Sequence, residues 1–395
     1  MNRAVAPLSD IDPYEASTLL DPYGAYAALR DMGPVVRLGR YGVWAMAGYQ
    51  EVAEALQDWR TFSSDAGVGV ADFRKEPPWR TKSIVLEVDP PYHTKTRSVL
   101  ARVLSPAATR RLRPSFEAEA ERIVEALVSR GEFDGMTDLA EAYPTRVFGD
   151  ALGLPEAGRE HLLTYGAVAF NSFGPRNELY EASHRHAQPV VAWIGAMLAR
   201  DATAPEGIAA DIYAAADAGE LGVDEAPLLL RSLLTAGIDT TVNAIGNALF
   251  AFATNPDQWR RLRDDPALIR GAFEEAVRFE SPVQTFYRTT TRPARVGDVE
   301  IPEGEKVYLS LGGANRDPRR WPDPDRFDIS RKAGGHVGFG YGVHGCVGQT
   351  IARLEAELAL SALARRVARL ELAGEPVRRL NNTLRGFTAL PLRVE

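Results

Sequence analysis

The chain has 395 residues, 45% hydrophobic and 25% charged, with a formal net charge of −7 and one cysteine. The mild negative charge argues against nucleic acid as a partner, and a lone cysteine excludes an internal disulfide and fits a reducing compartment. No stretch reaches the roughly 18 apolar residues of a membrane span, and the start MNRAVAPLSDIDPY lacks a signal peptide's apolar run, so a cytoplasmic chain with no membrane partner is expected. With no internal repeat and no low-complexity linker, a single domain over residues 1–395 is expected as well.

Val35 to Met46 (VVRLGRYGVWAM) reads as two strands around a Gly-Arg-Tyr-Gly turn. Ala71 to Glu87 is loop-like and offers Arg80 and Ser83 as donors near Leu86. His93 and Arg97 follow Asp89-Pro-Pro at a helix start, four apart and hence on one face. By spacing alone they fit a solvated basic face just as well. Pro106 to Leu127 and Asp134 to Leu152 read as helices. Phe170-Asn-Ser-Phe173 and Ser281-Pro-Val283-Gln-Thr-Phe286 are aromatic and apolar clusters, which by spacing are ordinary core.

Asp224 to Asn255 reads as the longest helix, about 45 Å at 1.5 Å per residue, with Asp224 as its N-cap and Asn255-Pro256 as its stop. Apolar on nearly every side, it should cross the middle of the molecule. Its centre, Ala236-Gly-Ile-Asp239-Thr240-Thr241, holds poor helix formers. A threonine hydroxyl bonded one turn back would disturb the helix there, and a tolerated kink accounts for the pattern without any function. Glu275 and Arg278 form an i,i+3 pair, ordinarily solvated and worth little. Strand signals return at Thr285 to Thr291 and around Ile301-Pro-Glu-Gly-Glu-Lys-Val, and the piece from Leu370 reads as short strands and turns. Many helices with a few hairpins make a mainly α protein.

His336 to Gly348 (HVGFGYGVHGCVG) places Cys346 at the end of a glycine-rich loop, before the helix-periodic run Gln349 to Leu370 with Ile351, Leu354, Leu358 and Leu363 on one face. Unpaired amides and the helix dipole there favour a thiolate and predict a lowered thiol pKa. Glycines let backbone approach something large and flat; a haem with Cys346 as axial ligand fits that. A small buried apolar cysteine fits the residue alone. A phosphate loop lacks the Lys-Ser/Thr ending, and a zinc site from His336, His344 and Cys346 lacks a fourth ligand.

The string Phe339-Gly-Tyr-Gly-Val-His344-Gly-Cys346-Val-Gly348 resembles the haem-binding signature of the cytochrome P-450 superfamily at each fixed position. Ala236-Gly-Ile-Asp239-Thr240 resembles its acid–alcohol pair, Glu275-Ala-Val-Arg278 its Glu-x-x-Arg, and His93-Thr-Lys-Thr-Arg97 its His-x-x-x-Arg. The four stand in family order over roughly Leu86 to Leu360. The resemblance implies the P-450 fold, a helical domain with small β-sheets around a buried haem and a long central helix. It implies haem b (iron protoporphyrin IX) with the Cys346 thiolate on its metal, and Phe339 and Gly340 beside Cys346 in the loop. It also implies His93, Arg97, Arg288 and His344 as propionate partners. Glu275 and Arg278 are implied to form a structural ion network with Arg326 of Trp321-Pro-Asp-Pro-Asp-Arg326-Phe327, where Asp325 departs from the family's usual Glu. Asp239 and Thr240 are implied to deliver protons to O2, in a monooxygenase reduced by a separate ferredoxin and ferredoxin reductase.

Four further strings, WRTKSIVLE, NSFGPRNEL, EAPLLLRSLLTAGIDTTVN and EEAVRFESPVQTF, resemble the bacterial subfamily that oxidises para-substituted benzoic acids, typically 4-methoxybenzoate by O-demethylation. That resemblance implies a small aromatic carboxylic acid as substrate. Arg80, Ser83 and Ser232 would face its carboxylate, and Leu86, Phe170, Phe173, Ala236, Val283 and Phe286 would line the slot. The alternatives are the same chemistry on another small hydrophobic substrate, or a haem-thiolate gas sensor. A sensor needs no proton relay, so Asp239-Thr240 counts against it.

Overall fold

Capping and apolar stripes put most of the chain into helices, and the computed structural model describes residues 5–395. The longest helix is Pro106–Arg130: the Ser105 hydroxyl accepts from the Ala108 amide at 3.3 Å, and Gly131, at φ 74°, ends it. The stretch expected as one helix from Asp224 is instead two, Glu225–Ala236 and Asp239–Ala253. Asp224 makes no side-chain cap. The Glu225 carboxylate accepts from the Gly222 amide at 2.5 Å and closes that end from inside the first turn. At the break, Thr240 Oγ1 donates to the Ala236 carbonyl at 2.7 Å and Thr241 Oγ1 to the Gly237 carbonyl at 3.4 Å. The second helix is buried on nearly every side, as a central helix should be.

The segment expected as a helix from Asp134 starts as strand Glu132–Asp134, widens into π-type turns over Gly135–Glu141 and becomes α-helical over Ala142–Leu152. The Asp134 carboxylate accepts from the Met136 and Thr137 amides at 2.8 and 3.1 Å, so the cap pulls the chain out of the strand. Met136 then lies against the central helix, where a Cβ added at Gly246 would stand 2.3 Å from its sulfur.

Val36–Leu38 and Val43–Met46 pair antiparallel around the expected turn. With Leu8–Ser9, Lys306–Ser310, Thr285–Thr290 and Phe62–Ser63 they form a six-stranded sheet. Lys306–Ser310 and Val299–Ile301 flank the Pro-Glu-Gly-Glu turn without pairing to each other; the latter pairs back to Ala294–Val296. Gln349–Arg366 stops short of Leu370, which starts a strand paired to Pro391–Val394. One apolar core runs through the helices from Ile84 to Val394, and a second lies on the large sheet around Met46, Val307 and Leu309. No described helix is long and apolar enough to cross a membrane.

Glu275 and Arg278 are fully buried, not solvated. Arg278 Nε and Nη2 meet the Glu275 carboxylate at 2.7 and 2.8 Å, and its Nη1 donates to the carbonyls of Asn315 and Pro324 at 2.8 and 3.0 Å. The third member is not the Arg326 guanidinium. Arg326 is exposed and offers only its carbonyl, at a long 3.4 Å, while Arg331 Nε reaches Glu275 Oε1 at 3.1 Å. One buried carboxylate flanked by two guanidiniums needs no third cation, whose desolvation would go unrepaid. Asp325 faces outward and pairs with Arg316 at 2.7 Å.

Candidate active site

Two glycines shape the loop that carries the sulfur. Gly340 and Gly342 have φ of 69° and 65°, and a Cβ at Gly342 would stand 2.7 Å from the Leu56 carbonyl. The Cys346 amide donates to the Phe339 carbonyl at 2.7 Å, which folds the loop so that Cys346 leads into Gln349–Arg366. The expected lowering of the thiol pKa is overturned. Burial pushes the Cys346 thiol up, and the Gly348 and Gln349 amides with Arg97 and Arg353 only partly oppose it. A coordinated metal ion would ionise the thiol outright. His336 is committed elsewhere, accepting at Nδ1 from the Gly338 amide at 3.0 Å and meeting Glu274 through Nε2 at 3.2 Å. Among the described residues no cluster of three His, Cys, Asp or Glu could hold a metal ion, so the zinc reading has no ligand set.

Behind the loop lies a cavity of about 990 Å³. It brings Cys346, Phe339, Gly340, His344, Arg97 and Arg288 together with Thr240, Ala236 and Ser232 from the broken helix. Arg80, Ser83 and Leu86 join from the loop before Asp89, with Phe170, Phe173, Val283 and Phe286. Asp239 and His93 stand outside the wall.

Arg97 Nη2 donates to the Gly345 carbonyl at 2.5 Å and Arg288 Nη1 to the Tyr287 carbonyl at 2.8 Å. The His93 and His344 rings stand 4.4 Å apart; the Nε2 of each is buried and makes no close hydrogen bond among the described residues, that of His344 lying 3.7 Å from Asp89 Oδ1. Burial pulls His93 down to about 4 and lowers His344 although Asp89 opposes it; Arg288 falls only to about 10. The four residues expected as cationic partners are therefore two charged guanidiniums and two neutral imidazoles near pH 7. Weakly satisfied ring nitrogens beside the half-buried Arg97 and the buried Arg288, with a glycine-lined loop and a cysteine, fit a haem and its two propionates.

Asp239 is buried and turned from the cavity. Its Oδ1 lies 3.2 Å from both Arg379 Nη1 and Asn243 Nδ2, and its Oδ2 has no partner. Burial raises its pKa against the pull of Arg379 and Asn243. The neighbouring helix passes it at Gly166, where a Cβ would stand 2.8 Å from Oδ2.

At another part of the wall, Ser83 Oγ and Ser232 Oγ are 3.0 Å apart. Arg80, expected as a free carboxylate donor, is already paired: Nη1 reaches Glu87 Oε2 at 2.6 Å and Nη2 meets Oε1. Glu87 has no exposure, and the pair holds its carboxyl below the usual range. The unpaired cation is one that sequence reasoning missed. Arg231 lines the cavity, donates through Nη2 to the Lys82 and Thr81 carbonyls at 2.8 and 3.3 Å, and keeps a buried Nε without a partner. Its signal was an arginine beside Ser232 inside the apolar run LLLRSLL. Phe170, Phe173 and Phe286 meet edge to face, with centroids 5.7 Å apart at each contact.

A fold and site of this kind define a cysteine-ligated haem protein, and comparison with known proteins says which. The cytochrome P450 family profile matches residues 200–392. Cytochrome P450 CYP199A2 of Rhodopseudomonas palustris is 54% identical over 99% of this chain and 95% of its own length. Cytochrome P450 107B1 of Saccharopolyspora erythraea is 34% identical over 97% and 98%. Among solved structures, P450 CREJ in complex with (4-ethylphenyl) dihydrogen phosphate superposes with TM-score 0.88 at 28% identity, covering 97% of this chain and 99% of that one. P450BioI bound to an acylated carrier protein gives 0.85 at 28%, covering 96% and 100%. The chain belongs to the cytochrome P450 family and is a monooxygenase of that class.

Proposed function

We propose that this P450 oxidises the para substituent of a small aromatic monocarboxylate, with 4-methoxybenzoate, demethylated to 4-hydroxybenzoate and formaldehyde, as the substrate to test. The observation that carries the reading is one cavity holding Cys346 and Thr240 together with an aromatic slot and a serine–arginine cluster. When bound, the haem supplies dioxygen activation and oxidation of the substrate carbon. Cys346 would hold its iron, with Phe339 and Gly340 beside it in the loop. Arg97 and Arg288 would neutralise the propionates, with His93 and His344 as uncharged donors.

Ser83 Oγ and Ser232 Oγ donate to the substrate carboxylate, and Arg231 supplies the positive charge. Phe170, Phe173 and Phe286 with Leu86, Ala236 and Val283 clasp the ring, fixing which carbon is presented. Asp239, whose carboxyl pKa is raised by burial, would supply protons from behind the wall, and Thr240 would pass them on from Oγ1 once that hydroxyl leaves the Ala236 carbonyl. Electrons come singly from a separate ferredoxin and its reductase in the cytoplasm.

The test is an optical titration of the ferric protein. A low-spin to high-spin change with 4-methoxybenzoate, absent with the meta isomer, is expected. No change with any benzoate overturns the substrate class and leaves another small hydrophobic molecule as the alternative.

A further inference from the structure

We propose that Glu87 sets the charge rule of the substrate cavity: by closing Arg80 into an ion pair, it leaves one free guanidinium, Arg231, at the serine end, so that monoanions are accepted and dianions refused. This deepens the benzoate reading and rests on it.

Glu87 is saturated. Its Oε1 accepts from Arg80 Nη2 and from the Val68 amide at 3.1 Å; its Oε2 accepts from Arg80 Nη1 at 2.6 Å and from the Ser83 amide at 3.1 Å. Arg80 is held on its faces too, 4.5 Å from the Phe173 centroid and 5.1 Å from that of Phe73. For Arg80 to swing to a ligand, it would have to abandon a carboxylate with no exposure, which is strongly unfavourable. The pair therefore presents no net charge to whatever enters, although Arg80 lines the cavity and keeps one buried donor, Nε, without a partner among the described residues. Arg231 gives its hydrogen bonds to carbonyls and, among the described residues, pairs with no carboxylate. Lys306, which also neighbours Glu87, donates to the Ala66 and Gly67 carbonyls and is not part of the wall. One positive charge remains against the substrate. Glu87 also ties the Ser83 amide and so positions the hydroxyl that stands 3.0 Å from Ser232 Oγ. It lines the cavity with both oxygens engaged, and acts as a positioning residue through Arg80 and Ser83.

The probes are 4-ethylbenzoate and 4-ethylphenyl phosphate, which share a para group but carry one and about two negative charges at about pH 8. Affinity of the haem-loaded protein for 4-ethylbenzoate is read from the spin-state change, and for the phosphate by competition against it. Wild type is expected to prefer the benzoate by about a hundredfold, the order of an unpaired buried charge. Glu87→Gln frees the Arg80 charge and should narrow that ratio by about tenfold or more. Glu87→Asp, which keeps the pair, should restore the wild-type ratio, and so should Arg80→Met combined with Glu87→Gln. A wild type that binds both probes alike overturns the proposal. So does a Glu87→Gln protein in which both affinities fall by one common factor, the mark of a merely structural role. Should Glu87→Gln fail to hold haem, the double variant decides: a ratio far from wild type overturns the charge rule. If wild type responds to no benzoate at all, the benzoate reading falls and this proposal with it. A normal benzoate response with an unmoved ratio sinks the proposal alone.

Discussion

Both carboxylate oxygens of Glu355 are buried without a hydrogen-bond partner among the described residues, and burial pushes its carboxyl well above the usual range. Its unfolded counterpart ionises near about 4.3. The folded state thus binds more protons above that pH, and the stability this group contributes is whole below about pH 4 and lost as pH rises toward the folded value. Glu355→Gln removes the titration. Its advantage in Tm over wild type is expected to grow between about pH 5 and about pH 8, by roughly 2 °C or more, in thermal scans at both values. Parallel curves would mean that the carboxyl is not held neutral. Sequence reading passed this side chain over, although it stands one turn after Ile351 and beside Leu354 on the apolar face of Gln349–Arg366. The Arg80–Glu87 pair was not, because a loop has no period to say which of its charges meet. The rise of the half-buried Cys346 thiol went unread for another reason: helix-end electrostatics can be read from spacing, the balance against desolvation cannot.

The split of the central helix is an element decided by its neighbours. Composition marked Gly237 to Thr241 as a weak place, and the two threonine hydroxyls close on carbonyls one turn back as expected. Phe148, from a helix some ninety positions earlier, packs its ring against the break at Gly237. A Cβ at Gly237 would stand 2.3 Å from its ring and 2.8 Å from the Leu233 carbonyl. Alanine would gain about 1 kcal/mol in helix propensity, whereas forcing a methyl into a packed contact costs about 1–3 kcal/mol. The clash wins. Gly237→Ala should lower Tm by a few degrees, and Phe148→Leu in the same chain should recover much of the loss; a Gly237→Ala protein more stable than wild type would show that propensity rules here. The same reach explains why Arg379 went unread. It comes from the C-terminal strand Val377–Arg379 to Asp239, 140 residues away, with the paired strand seated at Gly386, where a Cβ would collide with Asn243.

At the scale of the molecule, the cavity is where the parts meet. Its wall takes Leu56 and Leu311 from the core on the large sheet, Phe148 and Ile351 from the helical core, and Phe170 and Phe173 from a smaller cluster that shares Val283 and Phe286 with the sheet side. Part of this wall was legible from motifs in fixed order and from the four resembling strings; Arg231 was not, nor that Asp239 and His93 stand behind the wall, since a motif carries no sidedness. A wall shared by the helical core, the core on the large sheet and the smaller aromatic cluster ties their stabilities together, so these parts are expected to unfold as one unit. A ligand that fills the cavity and binds only the folded state stabilises it by about 4 kcal/mol at a thousandfold excess over Kd. Haem-loaded protein should therefore lose its Soret band and its helical circular dichroism in one coincident transition. Extracting the haem should lower that transition sharply, and adding haem back should restore it. Two separate transitions in the loaded protein would mean that sheet and helical body fold independently, and that the cavity joins them without coupling them.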